Sequence, residues 1–144
     1  QGRQSAQPFC ATCLNGTRCC CEMNDLKDAA EALVHLLHDA DETARVDAAK
    51  RLGRMGEPVA PFSGQPLSHR LTDVAAPVRM QAARALGKMG PAVAGFAVDQ
   101  LTTCLNDGDA PVRAAAVGAL GRMTEALDQR ARDGLARCFR WPNL

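Results

Sequence analysis

The sequence predicts an all-α fold: a short α-solenoid of about three helical hairpins plus a terminal half repeat, preceded by an irregular, cysteine-rich N-terminal extension. Three observations carry this prediction. First, the segments 33–56, 67–90 and 101–124 superimpose without gaps, at an offset of 34 residues both times. A fixed period in this range is the mark of a repeat array. Second, apolar residues within each copy recur at the spacing of one helical face. Third, 47% of residues are hydrophobic but only 3% are aromatic, and Tyr is absent. Ala, Leu, Val and Met must therefore fill the interior, which favours closely packed helices over a sheet sandwich.

At 144 residues the chain is one domain's worth. The reading divides it into an extension at 1–24 and a solenoid at 25–144. The repeats fall at about 25–62, 67–96 and 101–130, with a half repeat at 135–141.

The elements follow in order. The first helix is expected over 25–38, with Asn24 or Asp25 as its N-cap and Leu26, Ala29, Ala30, Leu33 and Leu37 on one face. In the next two copies the first helix is marked by Leu67 and Leu71, then by Leu101 and Leu105. An Asp and a small residue end each first helix. The second helix starts at Ala76-Pro77 or Ala110-Pro111, where Pro suits a first turn whose N–H would be unpaired. Val78, Ala82, Leu86 and Met89 then recur at helical spacing, and Gly90 stands where a C-terminal cap prefers glycine. The third copy ends in Thr124 instead. Further on, Leu135 and Phe139 align with Leu101 and Leu105, and Trp141-Pro142 stands where the next Asp would be.

The repeated positions spell L-x-x-x-L-x-D-x-x-x-x-V-R-x-x-A-A-x-A-L-G-x-M-G. They include Leu37/Leu71/Leu105, Asp39/Asp73/Asp107, Arg45/Arg79/Arg113, Leu52/Leu86/Leu120 and Gly53/Gly87/Gly121. This pattern resembles the short HEAT-like repeat of the phycobilisome-lyase type, over about residues 33–139. The first copy departs from it, with Thr43-Ala44 in place of Pro-Val. The resemblance implies an all-helical solenoid in which the Asp and Arg rows form a structural ladder.

Two rows of charged residues are the first functional candidates. Asp39, Asp73 and Asp107 each precede an Arg (Arg45, Arg79, Arg113) by six residues. Each Asp is expected to cap the second helix and to bond an Arg of its own or the next repeat. The second row is basic. Arg54, Lys88 and Arg122 are equivalents, with Lys50 and Arg84 one turn earlier. Stacked repeats would align them into a stripe that receives an acidic protein surface or anionic lipid headgroups. Trp141, in the half repeat, is a further partner-binding candidate. The run "AAAVGAL" at 114–120 makes the last second helix small and apolar nearly all round, so coverage on both sides is expected.

Catalytic chemistry finds no footing. There is no nucleophile elbow, phosphate-cradling loop or zinc-hydrolase motif. None of His35, His38 and His69 is followed by Glu. The HEAT-repeat deoxyhypusine hydroxylases hold iron with His-Glu pairs, so the resemblance does not extend to that activity. No cofactor is expected, apart from a zinc option at the cysteines. A net charge of +1 argues against nucleic-acid binding by bulk charge. No apolar run approaches the roughly 18 residues of a membrane span.

Cys10, Cys13, Cys19, Cys20 and Cys21 crowd twelve residues of the extension. Cys10-x-x-Cys13 brings two sulfurs to one ion, and zinc prefers four thiolates. The adjacent cysteines that follow chelate poorly, and five cysteines leave one over in any disulfide scheme. Disulfide or mixed thiol packing, zinc, free thiols against a partner, and an iron–sulfur centre all remain open. The chain opens at "QGRQSAQP" without a methionine, as a processed product or a fragment would.

The leading expectation is a non-catalytic scaffold or accessory subunit that binds other protein subunits within a larger assembly. The resemblance implies an intracellular, organellar setting, plastid before mitochondrion, such as a photosystem–antenna or respiratory complex. Two alternatives stand beside it: a bilin-lyase-like chromophore-attaching or chaperone subunit, and a zinc-binding adaptor.

Overall fold

The computed structural model describes residues 20–123, with side chains from Asn24 onward. Six α-helices and no strand are present among these residues. They are α1 (Cys20–Leu36), α2 (Glu42–Met55), α3 (Ala60–His69), α4 (Ala76–Met89), α5 (Ala94–Cys104) and α6 (Ala110–Arg122). Short 3₁₀ turns lead into α3 and α5, and another links α3 to α4.

Local chemistry explains where the second helices start and stop. Asp41 opens α2 by accepting the Thr43 N–H at 3.1 Å. Pro77 and Pro111 sit in the first turns of α4 and α6. Gly56 and Gly90 end α2 and α4 with φ of 70° and 65°, in the region that side chains with a Cβ avoid. Their N–H groups reach back to the Leu52 and Leu86 carbonyls and close the last turn.

Four boundaries differ from the sequence reading. α1 begins at Cys20, ahead of Asn24 and Asp25, and ends at Leu36. No Gly or Pro stands between Cys20 and Asp25, so nothing in the backbone confines the start to the expected cap. α3 begins at Ala60 and α5 at Ala94, each seven residues ahead of the leucine that marked its repeat. The hairpins are therefore α1–α2, α3–α4 and α5–α6, and the repeats expected to open at 67 and 101 open at Ala60 and Ala94, while the expected end at 130 lies outside the described residues. The early turns were hidden because Ala60, Ser63 and Gly64 supply the buried stripe of α3 without large apolar side chains.

The helices form two layers. α4 lies between α2 and α6 in one layer, and α3 lies between α1 and α5 in the other. The repeated leucines fill the space between layers: Leu37, Leu52, Leu67, Leu86, Leu101 and Leu120 are fully buried. Each contributes about 2 kcal/mol by its removal from water. Small residues set the spacing inside the α2–α4–α6 layer. A Cβ on Gly53 would stand 3.1 Å from the Ala85 Cα, and one on Gly87 would stand 2.8 Å from the Ala119 Cα. The second separation is too short for a side chain and the first is tight, so glycine lets the backbones approach.

Candidate binding surface

The Arg–Asp ladder fixes how the second helices present their outer faces. Arg45 Nε donates to Asp73 Oδ2 at 3.0 Å and its Nη2 to Asp73 Oδ1 at 3.2 Å. Arg79 repeats the fork on Asp107, at 2.9 and 3.2 Å. Each Arg also reaches back into its own repeat. Arg45 Nη1 donates to the Asp39 and Ala40 carbonyls, and Arg79 Nη1 to those of Asp73 and Val74. One planar guanidinium thus ties the turn of its own hairpin to the turn of the next.

The carboxylates do not cap the helices as expected. Asp73 and Asp107 lie two residues before the cap positions Ala75 and Asp109, and Asp39 lies two before Asp41. Each instead accepts the N–H of that cap residue, at 2.8–2.9 Å. This small turn holds the carboxylate sideways, where the preceding repeat's Arg can fork onto it. Burial would raise the Asp73 carboxyl, but the Ala75 N–H and the Arg45 and Arg70 guanidinia outweigh it and hold it below its usual range. Asp107 is held low in the same way by the Asp109 N–H, Arg79 and Arg113, against burial.

One member of the network escaped the sequence reading. Arg79 Nη2 also donates to Asp109 Oδ2 at 2.8 Å. Asp109 aligns with Asp41 and Ala75, so no row of identical residues marked it. Arg113 differs from its equivalents. Among the described residues its one side-chain hydrogen bond runs from Nη1 to the Asp107 carbonyl, at 2.6 Å.

The ladder leaves the basic row pointing outward. Lys50, Arg54, Arg84, Lys88 and Arg122 are all exposed. Arg54, Lys88 and Arg122 occupy the last turns of the three adjacent second helices. None of the five pairs with a carboxylate among the described residues. In α4, which has a neighbour on each side, the exposed residues are Pro77, Arg84 and Lys88 alone. Apart from Pro77, α4 thus offers only cations to solvent.

The remaining candidates separate into exposed, buried and outside. His35, His38 and His69 are exposed and do not converge. Among the described residues no group of three His, Cys, Asp or Glu side chains is placed to hold a metal. Cys104 is buried at the end of α5, its Sγ 3.8 Å from the Leu71 carbonyl. Burial pushes its thiol up to about 11, aided by Asp107, which makes it a poor nucleophile. Cys20 and Cys21 fall in the first turn of α1. Cys10, Cys13, Cys19, Trp141 and the 135–141 half repeat lie outside the described residues.

Among the described residues α6 is covered on one side. Val112, Ala115, Ala116, Ala119 and Leu120 are buried, but Ala110, Ala114, Gly118 and Gly121 are exposed. Among the described residues the helix packs on α4 and α5, and none lies against its far side. No described helix is long and apolar enough to cross a membrane.

Comparison with known proteins agrees with this architecture. The family model for HEAT repeats matches residues 8–87 and again 64–143. No curated protein matches the chain. Among solved structures, the crystal structure of one engineered protein superimposes with a TM-score of 0.62 at 22% identity, over 76% of this chain and 52% of that one. A second engineered protein gives a TM-score of 0.59 at 22% identity, over 76% of this chain and 60% of that one. The chain thus spans 52% and 60% of these two relatives, and the likeness is one of fold.

Proposed function

The chain belongs to the HEAT-repeat family, and from that premise we propose that it is a non-catalytic scaffold subunit whose basic row receives an acidic surface of a partner protein. The observation that carries this reading is the register of the row. Five cationic side chains on three adjacent helices are exposed together, and none is neutralised by a described neighbour. A solvated helix face ordinarily mixes both signs at i, i+4 spacing, as Asp47 and Arg51 do on α2 at 2.8 Å. A row of one sign steers a complementary surface over about 10 Å at 0.1 M salt.

The test is a triple reversal, Arg54→Glu, Lys88→Glu and Arg122→Glu. The variant should keep its helicity and lose the proteins that co-isolate with the natural chain under gentle conditions. An unchanged set of co-isolating proteins removes the row from the function. The finer reading, membership of an organellar assembly such as a photosystem–antenna or respiratory complex, is supported by the sequence resemblance alone. Native mass and compartment of the protein from its source decide it, and a lone chain outside any organelle would refute it.

A further inference from the structure

The basic row carries a cost that nothing among the described residues offsets. Lys50 and Arg54 on α2, and Arg84 and Lys88 on α4, are exposed like charges at i, i+4 spacing. Such pairs weaken a helix. The nearby carboxylate of Asp47 is held by Arg51 at 2.8 Å. Lys88 leans from α4 towards α2, since a Cβ on Gly53 would stand 3.6 Å from the Lys88 Cδ. The row continues through Arg122 on α6, whereas the position that matches Lys50 and Arg84 there is Gly118. No large apolar side chain of α2, α4 or α6 is exposed.

We propose that the row binds an extended acidic segment of a partner protein, laid across α2, α4 and α6 in the polyproline II conformation with a carboxylate at every third residue. The inference rests on the partner-binding reading of the same row and adds the form of the ligand. Spacing selects that form. Packed helices lie about 8–10 Å apart. The close approach of Gly53 to Ala85 and of Gly87 to Ala119 holds these three together without intervening side chains. A polyproline II chain has about three residues per turn and rises about 3.1 Å per residue, so every third side chain returns to one edge after about 9 Å. A β-strand returns to the same face after about 6.7 Å, short of the next helix. An acidic α-helix matches at every seventh residue, after about 10.5 Å. It would also turn intervening positions onto the layer, where no exposed large apolar side chain offsets the cost of ordering it. On α2 and α4 each carboxylate meets two cations one turn apart, and on α6 it meets Arg122. These contacts are ionic and exposed, so each is weak alone and sensitive to salt.

The test uses the full chain and fluorescein-labelled peptides, read by fluorescence anisotropy at low salt. One probe repeats Glu-Pro-Pro three times. The other has the same composition with its three Glu adjacent. The spaced probe should bind roughly tenfold tighter than the adjacent one, because only the spaced probe reaches all three helices. Added salt should weaken it. Lys88→Glu, at the centre of the row, should weaken the spaced probe roughly tenfold or more. Arg84→Glu should weaken it as well while leaving the Lys88 stem in place, and the comparison of the two probes needs no variant at all. Absence of binding, equal binding of the two probes, or binding that ignores both Lys88 and Arg84 overturns the proposal. Tighter binding of a stapled helix with Glu at every seventh residue overturns it in favour of a helical ligand. Phosphatidylserine vesicles that outcompete the spaced probe overturn it in favour of a membrane surface. If the extended segment fails but the triple reversal still loses its co-isolating proteins, the row keeps its acidic partner and only the form proposed here falls. If the co-isolating proteins are unchanged as well, both readings fall.

Discussion

The two ends of the α2–α4–α6 layer expose opposite chemistries. On α2 the outer side carries Asp47 and Arg51, paired at 2.8 Å with more than half of each side chain in water. On α6 the outer side carries Arg113, Ala114, Val117 and Gly121. Neither side has a described neighbour helix, yet only the first is built as a solvated surface. The α6 side keeps the small residues and the Arg that the interior of the stack uses for joining. A repeat array needs atypical, polar residues at a true terminus. The α2 side meets that requirement, and the α6 side has the composition of an interior joint.

The largest expected effect that sharpens this comparison is at the ladder. Arg79→Ala should destabilise by about 3 kcal/mol, because it leaves the part-buried Asp107 carboxylate without its fork and Asp109 without a partner. Arg113→Ala, in the same register, should cost about 1 kcal/mol, the worth of one hydrogen bond to the Asp107 carbonyl. Denaturant unfolding of both variants measures the difference. Equal losses would mean that Arg113 is as fully bonded as Arg79, and the distinction between joint and end would collapse.

Glycine substitution probes the steric half. Gly87→Leu should cost about 2–3 kcal/mol, since the new Cβ starts 2.8 Å from the Ala119 backbone. Gly121→Leu should change stability by no more than about 0.5 kcal/mol, as at other open surface positions. A large loss at Gly121 would show that the α6 face is already occupied.

Acid probes the two filled joints between these ends by another route. The folded-state carboxyls of Asp73 and Asp107 lie below their ordinary value of 3.8. A depressed folded pKa contributes stability that is fully present above the unfolded pKa and is lost as pH falls through the folded one. Melting temperature should therefore hold from neutral pH to about 5 and drop below about 4. Asp73→Asn should lower stability at neutral pH and flatten that drop. A drop of undiminished size in Asp73→Asn would assign the acid sensitivity to other groups.

Much of the joint was legible in the sequence because it recurs. A residue that serves the same contact in every repeat appears at a fixed offset, which is how Asp73, Asp107, Arg45 and Arg79 stood out. What does not recur stayed hidden. Asp109 supports Arg79 at one joint only. Asp47 and Arg51 pair at one end only, and the rest of the array has Gln81 and Ala85, or Ala115 and Ala119, in those places. The first halves of α3 and α5 were missed for a different reason. Their buried stripes rely on residues such as Ala60, Ser63, Gly64, Ala94 and Ala97, whose size permits close packing but whose hydrophobicity does not announce a helix face.

The smallest effect tests the solvated end. Arg51→Ala should cost about 0.3–0.5 kcal/mol, the ordinary worth of an exposed i, i+4 pair on a helix. Its role is then steric rather than energetic. A long charged side chain, held by Asp47, covers the position at which each following repeat presents an alanine to the glycine behind it. Replacing it should leave the fold intact and remove that obstacle, so the Arg51→Ala chain at high concentration should associate more readily than the natural one. Sedimentation measures this. If Arg51→Ala instead unfolds the protein, or loses several kcal/mol, then Arg51 holds the α2 face together, and the contrast with the α6 face is one of stability rather than of access.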